Sequence, residues 1–529
     1  MVTAMSVVRR LTAGVVVVRA TTTAFERPDR LPRALLAMAP WGASMAALVA
    51  GAAARYPDRA AVIDDDGPVT YSEIWRRANA LAAGLAERGI GPGSKVGLLC
   101  RNHRGFLEAL TASAMVGADV VFLNTGFAGP QLAAVIADEA ITVVIHDDEF
   151  APLVGTRAGI TILGEVATAQ MAAAGTRVRP KRTKASMVVL TSGTTGRPKG
   201  AARRSDPAAI EGVAAVLKRV PYRLGDTQVI AAPLFHGWGL TNLLLGISRC
   251  STNVMSRRFD PESTLLATAA HRADVLVVVP VMLSRILGLP DPTLARLSTP
   301  KLRVIASSGS ALGSKLVSDA LDRFGPVLYN LYGSTEVAVA TIATPEDLRS
   351  NPSTAGRVAF GVRVEILDDQ GNPVPDGSTG RVFVGGSMRF EGYTTGGGKE
   401  QLRGLLSSGD LGHFDGGLLF LEGREDDMIV SGGENVFPVE IEELLANHPA
   451  IAEVAVVGIP DAEYGQVLAA FVVRRRGERV TADEVRSHAR HHLARFKVPR
   501  HVEFLEALPR NETGKVLRRN LVIRSAAKR

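Results

Sequence analysis

Ten consecutive residues, Thr191-Ser-Gly-Thr-Thr-Gly-Arg-Pro-Lys-Gly200, concentrate groups able to handle phosphate. The apolar run Met187 to Leu190 precedes them, so the segment reads as a strand running into a glycine-rich loop. Glycines there admit close backbone approach, amide N–H groups and hydroxyls donate hydrogen bonds, and Lys199 supplies positive charge. Neither Gly193 nor Gly196 has Gly-Lys-Ser/Thr at the Walker A offset, which argues against a P-loop ATPase. Taken alone, the stretch also reads as a plain Gly/Thr turn.

The decapeptide resembles the phosphate-loop signature of the adenylate-forming superfamily, which includes acyl-CoA synthetases, luciferases and peptide-synthetase adenylation domains. Four further segments follow in that family's order: Tyr332-Gly-Ser-Thr-Glu336, Ser408-Gly-Asp410, Gly423-Arg-Glu-Asp-Asp-Met-Ile-Val-Ser-Gly-Gly-Glu-Asn435 and Asn511-Glu-Thr-Gly-Lys515. The resemblance runs from about residue 45 to the C-terminus. It implies an enzyme that uses ATP, Mg²⁺ and coenzyme A. A carboxylic acid becomes acyl-AMP with release of pyrophosphate, and the acyl group then passes to coenzyme A with release of AMP.

That chemistry sets a carboxylate against the α-phosphate of ATP, so cations and preorganised donors must neutralise two anions. By resemblance the phosphates fall to Thr191, Ser192, Gly193, Thr194, Thr195, Gly196 and Lys199, together with the Thr335 hydroxyl. Glu336 holds magnesium, a cation that prefers hard oxygen ligands. Asp410 accepts from the ribose hydroxyls and Arg424 donates to the same region. Tyr332 and Gly333 lie against the adenine, beside the turn in Ala306-Ser-Ser-Gly-Ser-Ala-Leu312 where Gly309 and Ser310 sit. Lys515 bridges the substrate carboxylate and the α-phosphate; Lys515, Glu336, Thr191 and His236 form the catalytic set. Asp426 matches the hinge about which the C-terminal domain swings, bringing Gly432 and Gly433 to the coenzyme A thiol tunnel.

Pro233-Leu-Phe-His-Gly-Trp-Gly239 resembles the acyl-pocket motif, with His236 shaping the site and Trp238 gating a tunnel. Gly237, Gly239 and Gly246 leave room along the apolar stretch Leu240 to Ile247, which favours an aliphatic substrate, a medium- to long-chain fatty acid. Two departures stand out. Gly404-Leu-Leu-Ser-Ser-Gly-Asp410 replaces a tryptophan and Tyr-x-Thr-Gly-Asp, and Glu512 takes a place often held by Pro or a small residue. Both bear on nucleotide affinity and the fit of the lysine loop rather than on the reaction class.

The elements that must position these residues follow from spacing. Thr70 and Glu73 have capping-box spacing; Ala78, Leu81, Ala82 and Leu85 then recur at helical intervals, and Gly89 to Gly93 ends the helix before a strand at Val96 to Leu99. Apolar runs at Val143 to Ile145, Val275 to Val279 and Leu302 to Ile305 read as buried strands of an α/β fold. From about 355 to 422 short strands (Val362 to Leu367, Arg381 to Val384, Leu418 to Leu421) alternate with Asp/Gly/Pro turns, giving an antiparallel subdomain, a small β-barrel in the family. A helix near Val439 to Leu445 and a strand at Val454 to Val457 open a compact C-terminal unit. The expected architecture is an N-terminal extension (1–44), a large domain of layered α/β subdomains (45–424) and a smaller mobile α+β domain (425–529).

Composition bounds the remaining alternatives. With 46% hydrophobic and 22% charged residues, the 529-residue chain is an ordinary globular protein of at least two domains. Its +8 charge is scattered in single and paired arginines, which points to anionic small molecules rather than nucleic acid. Cys100 and Cys250 fall in no Cys/His cluster, so the cytoplasm is the expected compartment. Arg19 cuts short the signal-like run Leu11 to Val18, and the uncharged stretch Leu35 to Ala54 reads as a buried helix from about Ser44. A peripheral membrane contact through residues 1–40 and a homodimer stay open. So do transfer to a carrier protein, an aryl or short-chain acid as substrate, and a nucleotide- or lipid-binding protein without turnover.

Overall fold

The apolar runs pair into parallel sheets in the computed structural model, which describes residues 12–18, 21, 28–174, 178–179, 185–192, 198–204, 209–386, 390, 392–394, 396–431, 434–461, 464–512 and 514–527. A first sheet has the strand order Thr161–Leu163, Val143–His146, Lys95–Leu99, Asp119–Phe122, Ser186–Ser192, Pro198–Arg204. Its strands are parallel except the last, which folds back so that Thr191 pairs with Lys199.

A second sheet begins with Gly67–Thr70 and Ala60–Asp64, then runs parallel through Thr252–Met255, Thr227–Ile230, Val275–Val278, Val304–Ser308 and Leu328–Ser334. Strands such as Val275–Val278 are buried on both faces, which is why they carry no polar alternation. The edge of this sheet turns antiparallel at Ala338–Ala343 and continues through Thr354–Val358, Leu418–Arg424, Leu405–Asp415, Gly380–Gly385 and Arg363–Leu367. The region expected as a separate β-barrel is thus an open extension of the main sheet: no pairing among the described residues closes it. It still builds a core of its own, from Ala340, Ala355, Ile366, Val382, Val384 and Leu419.

Local signals place the helices. Ser44 Oγ accepts from the Ala47 amide at 3.2 Å and starts the buried helix Met45–Arg55. Thr70 Oγ1 accepts from the Glu73 amide at 3.2 Å at the head of Tyr71–Glu87. Glu73 turns to Arg76 at 2.9 and 2.7 Å, so no reciprocal half of a capping box forms there among the described residues. The strand expected from Leu302 begins at Val304. Beyond the turn Glu425–Asp427 a third sheet, Glu434–Val436, Ile429–Ser431, Gly465–Arg474, Ile451–Asp461, with His501–Leu505 alongside Gly465–Arg474, forms the C-terminal unit. Separate apolar cores lie on its two faces. Among the described residues no helix is long and apolar enough to cross a membrane.

Candidate active site

Asp410 lies on the strand Leu405–Asp415 and Arg424 opposite it at the end of Leu418–Arg424. The Tyr332 hydroxyl donates to Asp410 Oδ2 at 2.5 Å, and Arg424 Nη1 lies 3.4 Å from Oδ1. Ser408, buried behind them, accepts from the Asp410 amide at 3.1 Å; the hydroxyl kept at that position sets the aspartate's backbone. Burial raises the Asp410 pKa, against the lowering effects of the Tyr332 hydrogen bond and Arg424. Burial and then the Asp410 charge push the Tyr332 phenol well up, so it stays a donor.

Four strand-to-strand steps separate Leu328–Ser334 from Leu405–Asp415 in the sheet, about 19 Å if it were flat at roughly 4.8 Å per step. A direct Tyr332–Asp410 bond therefore requires the sheet to curl. Bulges provide the bend, one between Tyr332 and Gly333 and one between Thr354 and Gly356. No side chain fits at either: a Cβ on Gly333 would stand 1.7 Å from the Ala338 carbonyl oxygen, and one on Gly356 2.2 Å from the Ala343 nitrogen.

The turn after Tyr332 carries Thr335 and Glu336. Ser334 Oγ accepts from the amides of Glu336 (3.2 Å) and Val337 (3.3 Å) and donates to Glu336 Oε2 at 2.8 Å. Glu336 Oε1 accepts from the Tyr393 hydroxyl at 2.9 Å, and the Lys199 ammonium stands 5.2 Å from the centre of the Tyr393 ring. This buried carboxylate is thus held by neutral hydroxyls, with no cation at ion-pair distance among the described residues. An oxygen-only, uncompensated carboxylate fits Mg²⁺. Tyr393 is a site residue that sequence reasoning missed, because it sits in a Gly/Thr-rich stretch with no fixed spacing. Bridging to Ala201 and a 2.8 Å bond from the Thr394 amide to the Gly200 carbonyl stitch it to the strand after the phosphate loop. Thr191 Oγ1 donates to the Lys199 carbonyl at 3.1 Å, while Ser192 ends the strand before that loop. Gly193, Thr194, Thr195, Gly196, Gly432 and Gly433 lie outside the described residues.

Lys515 reaches this site from the far end of the chain. Its loop closes on itself, with the Lys515 amide donating to Asn511 Oδ1 at 2.8 Å and the Asn511 amide to the Lys515 carbonyl at 3.0 Å. Although solvent still reaches Lys515, the surrounding protein and then Arg424 lower its pKa, with Asp427 and Asp410 opposing. His236, the residue before the helix Gly237–Ser248, has a pKa lowered to about 4 by burial and by the Lys515 charge. The imidazole is therefore neutral at pH 7. Gly309, at φ +100°, and Ser310 follow the strand Val304–Ser308, and a Cβ on Gly309 would lie 3.6 Å from Val279. Val279 also flanks Gly514 of the lysine loop, so the two turns face one side chain. Asp426, in the turn Glu425–Asp427, lies 3.8 Å from Arg424 Nη2.

The acyl-pocket reading needs correction. Gly239 and Gly246 do not leave room: a Cβ on the first would meet the Pro233 carbonyl at 2.2 Å, and on the second the Gln228 amide at 2.2 Å. Backbone and buried polar groups already fill that space, and Leu240, Leu243, Leu245 and Ile247 pack into the general core. Trp238 donates from its indole N–H to the Val278 carbonyl at 2.9 Å, which fixes the ring within that core.

Comparison with known proteins agrees with this assembly. Residues 49–394 match the AMP-binding enzyme family and residues 440–515 its C-terminal domain. A feruloyl-CoA synthase from an Amycolatopsis species is 34% identical over 87% of this chain and 95% of its own length. An indoleacetate–CoA ligase from Aromatoleum aromaticum is 32% identical over 87% and 94%. The crystal structure of ATP-bound MatB from Rhodopseudomonas palustris superposes with a TM-score of 0.82 at 27% identity, covering 90% of this chain and 98% of that one. Tyr332, Glu336 and Lys515 lie within the matched segments, Asp410 and Arg424 in the stretch between them, and the chain belongs to the AMP-binding, adenylate-forming enzymes, whose acid–CoA ligases use ATP, Mg²⁺ and coenzyme A.

Proposed function

We propose that this protein is an AMP-forming acid–CoA ligase acting on an aromatic or arylalkanoic acid. One observation carries the reading: Lys515, on a C-terminal loop, lies close enough to Asp410, Arg424 and His236 for its charge to bear on the site they form. Asp410, aligned by Tyr332 and Arg424, accepts from the ribose hydroxyls. Lys515 offers positive charge where the acid's carboxylate and the α-phosphate meet, and a cation placed in advance lowers the barrier between two anions. Neutral His236 packs beside that point without adding a second positive charge. Glu336, with Ser334 and Thr335 beside it, would hold magnesium, which would supply positive charge to the phosphates. Departure of the lysine loop about Asp426 then frees the site for the thiol.

The substrate class rests on two supports. The relatives above are named for ferulate and indoleacetate. Of the room expected along Gly237–Ser248, the space at Gly239 and Gly246 is occupied by protein and only that beside Gly237 stays open, which weakens the reason for a fatty acid. Pyrophosphate release measured across aryl, arylalkanoic, fatty and short-chain acids, with and without coenzyme A, tests the proposal. Turnover should be highest with aromatic acids, and AMP should appear in step with coenzyme A. Turnover confined to long-chain acids, or AMP formed as fast without coenzyme A as with it, would displace it.

A further inference from the structure

Helices on the surface of a globular protein turn their apolar stripe inward and their polar side to water. Arg30–Met38 reverses this. Ala34 is its buried residue, and at about 100° per residue Pro32, Leu35 and Leu36 fall on the opposite side, with Leu31 at the border. Leu36 is 75% exposed and Leu35 58%. Residues 12–18, also helical, expose Val15 and Val18, three residues apart. Eleven large apolar side chains stand exposed among the described residues, and five of them, Val15, Val18, Leu31, Leu35 and Leu36, fall in this short stretch. Clustering of that kind marks a contact surface, whereas single exposed residues need no explanation.

Both segments lie over the buried helix Met45–Arg55. Arg55 Nη2 donates to the Thr21 carbonyl, three residues past Val18, and a Cβ on Gly51 would stand 2.8 Å from Met38. The sequence around them is one-sided in charge. Residues 1–44 hold Arg9, Arg10, Arg19, Arg27, Arg30 and Arg33 against Glu26 and Asp29, a net +4 out of the +8 of the whole chain. Arg33 is exposed and neighbours Leu36 on the helix surface, although it pairs with Asp29 at 3.0 Å. Apolar side chains edged by guanidinium groups match a lipid surface, whose acyl boundary takes the first and whose anionic headgroups take the second.

We propose that Val15, Val18, Leu31, Leu35 and Leu36 seat this protein on an anionic lipid bilayer, with Arg33 among the headgroup phosphates. The contact is peripheral, because the nine residues of Arg30–Met38 reach about 14 Å, under half of the roughly 30 Å hydrocarbon core. A second copy of the chain is the weaker occupant, since a two-fold contact would set Arg33 and its neighbours against like charge. The ridge precedes the AMP-binding match, which starts at residue 49, so the proposal stands apart from the ligase reading.

The test sediments the full-length protein with phosphatidylcholine vesicles, with and without phosphatidylglycerol. The protein should pellet with the anionic vesicles, and added salt should weaken the binding. Leu35→Gln combined with Leu36→Gln should lower partitioning by about tenfold or more, and Arg33→Gln should lower it about fivefold on anionic vesicles alone. Leu266→Gln, which removes an exposed leucine on the helix Pro261–Ala270, should leave partitioning unchanged. Every variant should unfold in urea as the parent does, which separates lost binding from lost folding. Failure of the parent to pellet, equal pelleting of the double variant, or equal affinity for the two kinds of vesicle would each overturn the proposal. So would a parent dimer that the double variant splits, because the ridge would then be a subunit interface.

Discussion

At the scale of the residue, the cation at 515 has the most direct consequence. Removing one preorganised group at a developing charge typically lowers turnover about 10²- to 10³-fold. Lys515→Ala should reduce pyrophosphate release by that order, while thioester formation from supplied acyl-AMP changes little; equal losses in both steps would contradict the assignment. His236 gives a pH prediction. Its pKa is 6.5 in the unfolded chain and about 4 in the folded one, so below pH 6.5 only the unfolded chain takes up the proton. Stability present above pH 6.5 is lost as pH falls toward 4, by about 2 kcal/mol between pH 7 and pH 5. Urea unfolding at those two pH values should show that slope, and His236→Asn should flatten it. Residue identities at Tyr332, Glu336, Asp410 and Lys515 were legible because each stands in a short motif. Tyr393 was not, since the fold alone brings its hydroxyl to Glu336 across a sequence gap with no pattern in it.

At the scale of the element, periodicity and caps placed helices and strands well: Ser44 starts a buried helix and the all-apolar runs are central strands. Reading Gly239 and Gly246 as empty space failed, while Gly237 does have room beside it, because a missing side chain shows equally well that another group already occupies the spot. The same reasoning gives a prediction in the lysine loop. Gly514 has φ +81°, and a Cβ there would stand 2.3 Å from Val281 Cγ1, a stiff β-branched neighbour. Gly514→Ala should keep the loop from docking, cutting acyl-AMP formation tenfold or more by analogy with other small displacements at catalytic groups, yet sparing thioester formation from supplied acyl-AMP. Adding Val281→Ala should recover part of the loss, since it relieves the clash but not the backbone strain. Full activity in Gly514→Ala would show that the docked geometry is not the one that reacts.

At the scale of the whole molecule, two sheets and a C-terminal unit converge on one cleft, an arrangement motif order announced but spacing could not measure. Gly126 and Glu512 touch across the junction, a Cβ on the first lying 2.3 Å from Cγ of the second. Cysteines placed at both, in a chain whose own Cys100 and Cys250 are buried, should form a single crosslink. Oxidised, the double variant should release about one equivalent of pyrophosphate per enzyme and make little thioester; reductant should restore turnover. Undiminished thioester formation in the oxidised protein would mean that the loop need not leave. The rolled edge of the main sheet has a further consequence. Because Tyr332 and Asp410 meet only when distant strands bend toward each other, the ribose end of the pocket measures curvature as well as composition. A chain that keeps every motif but straightens at Gly356 would hold the same chemical groups too far apart to share a nucleotide. Nucleotide affinity in this protein is thereby tied to the shape of a surface far larger than the ligand.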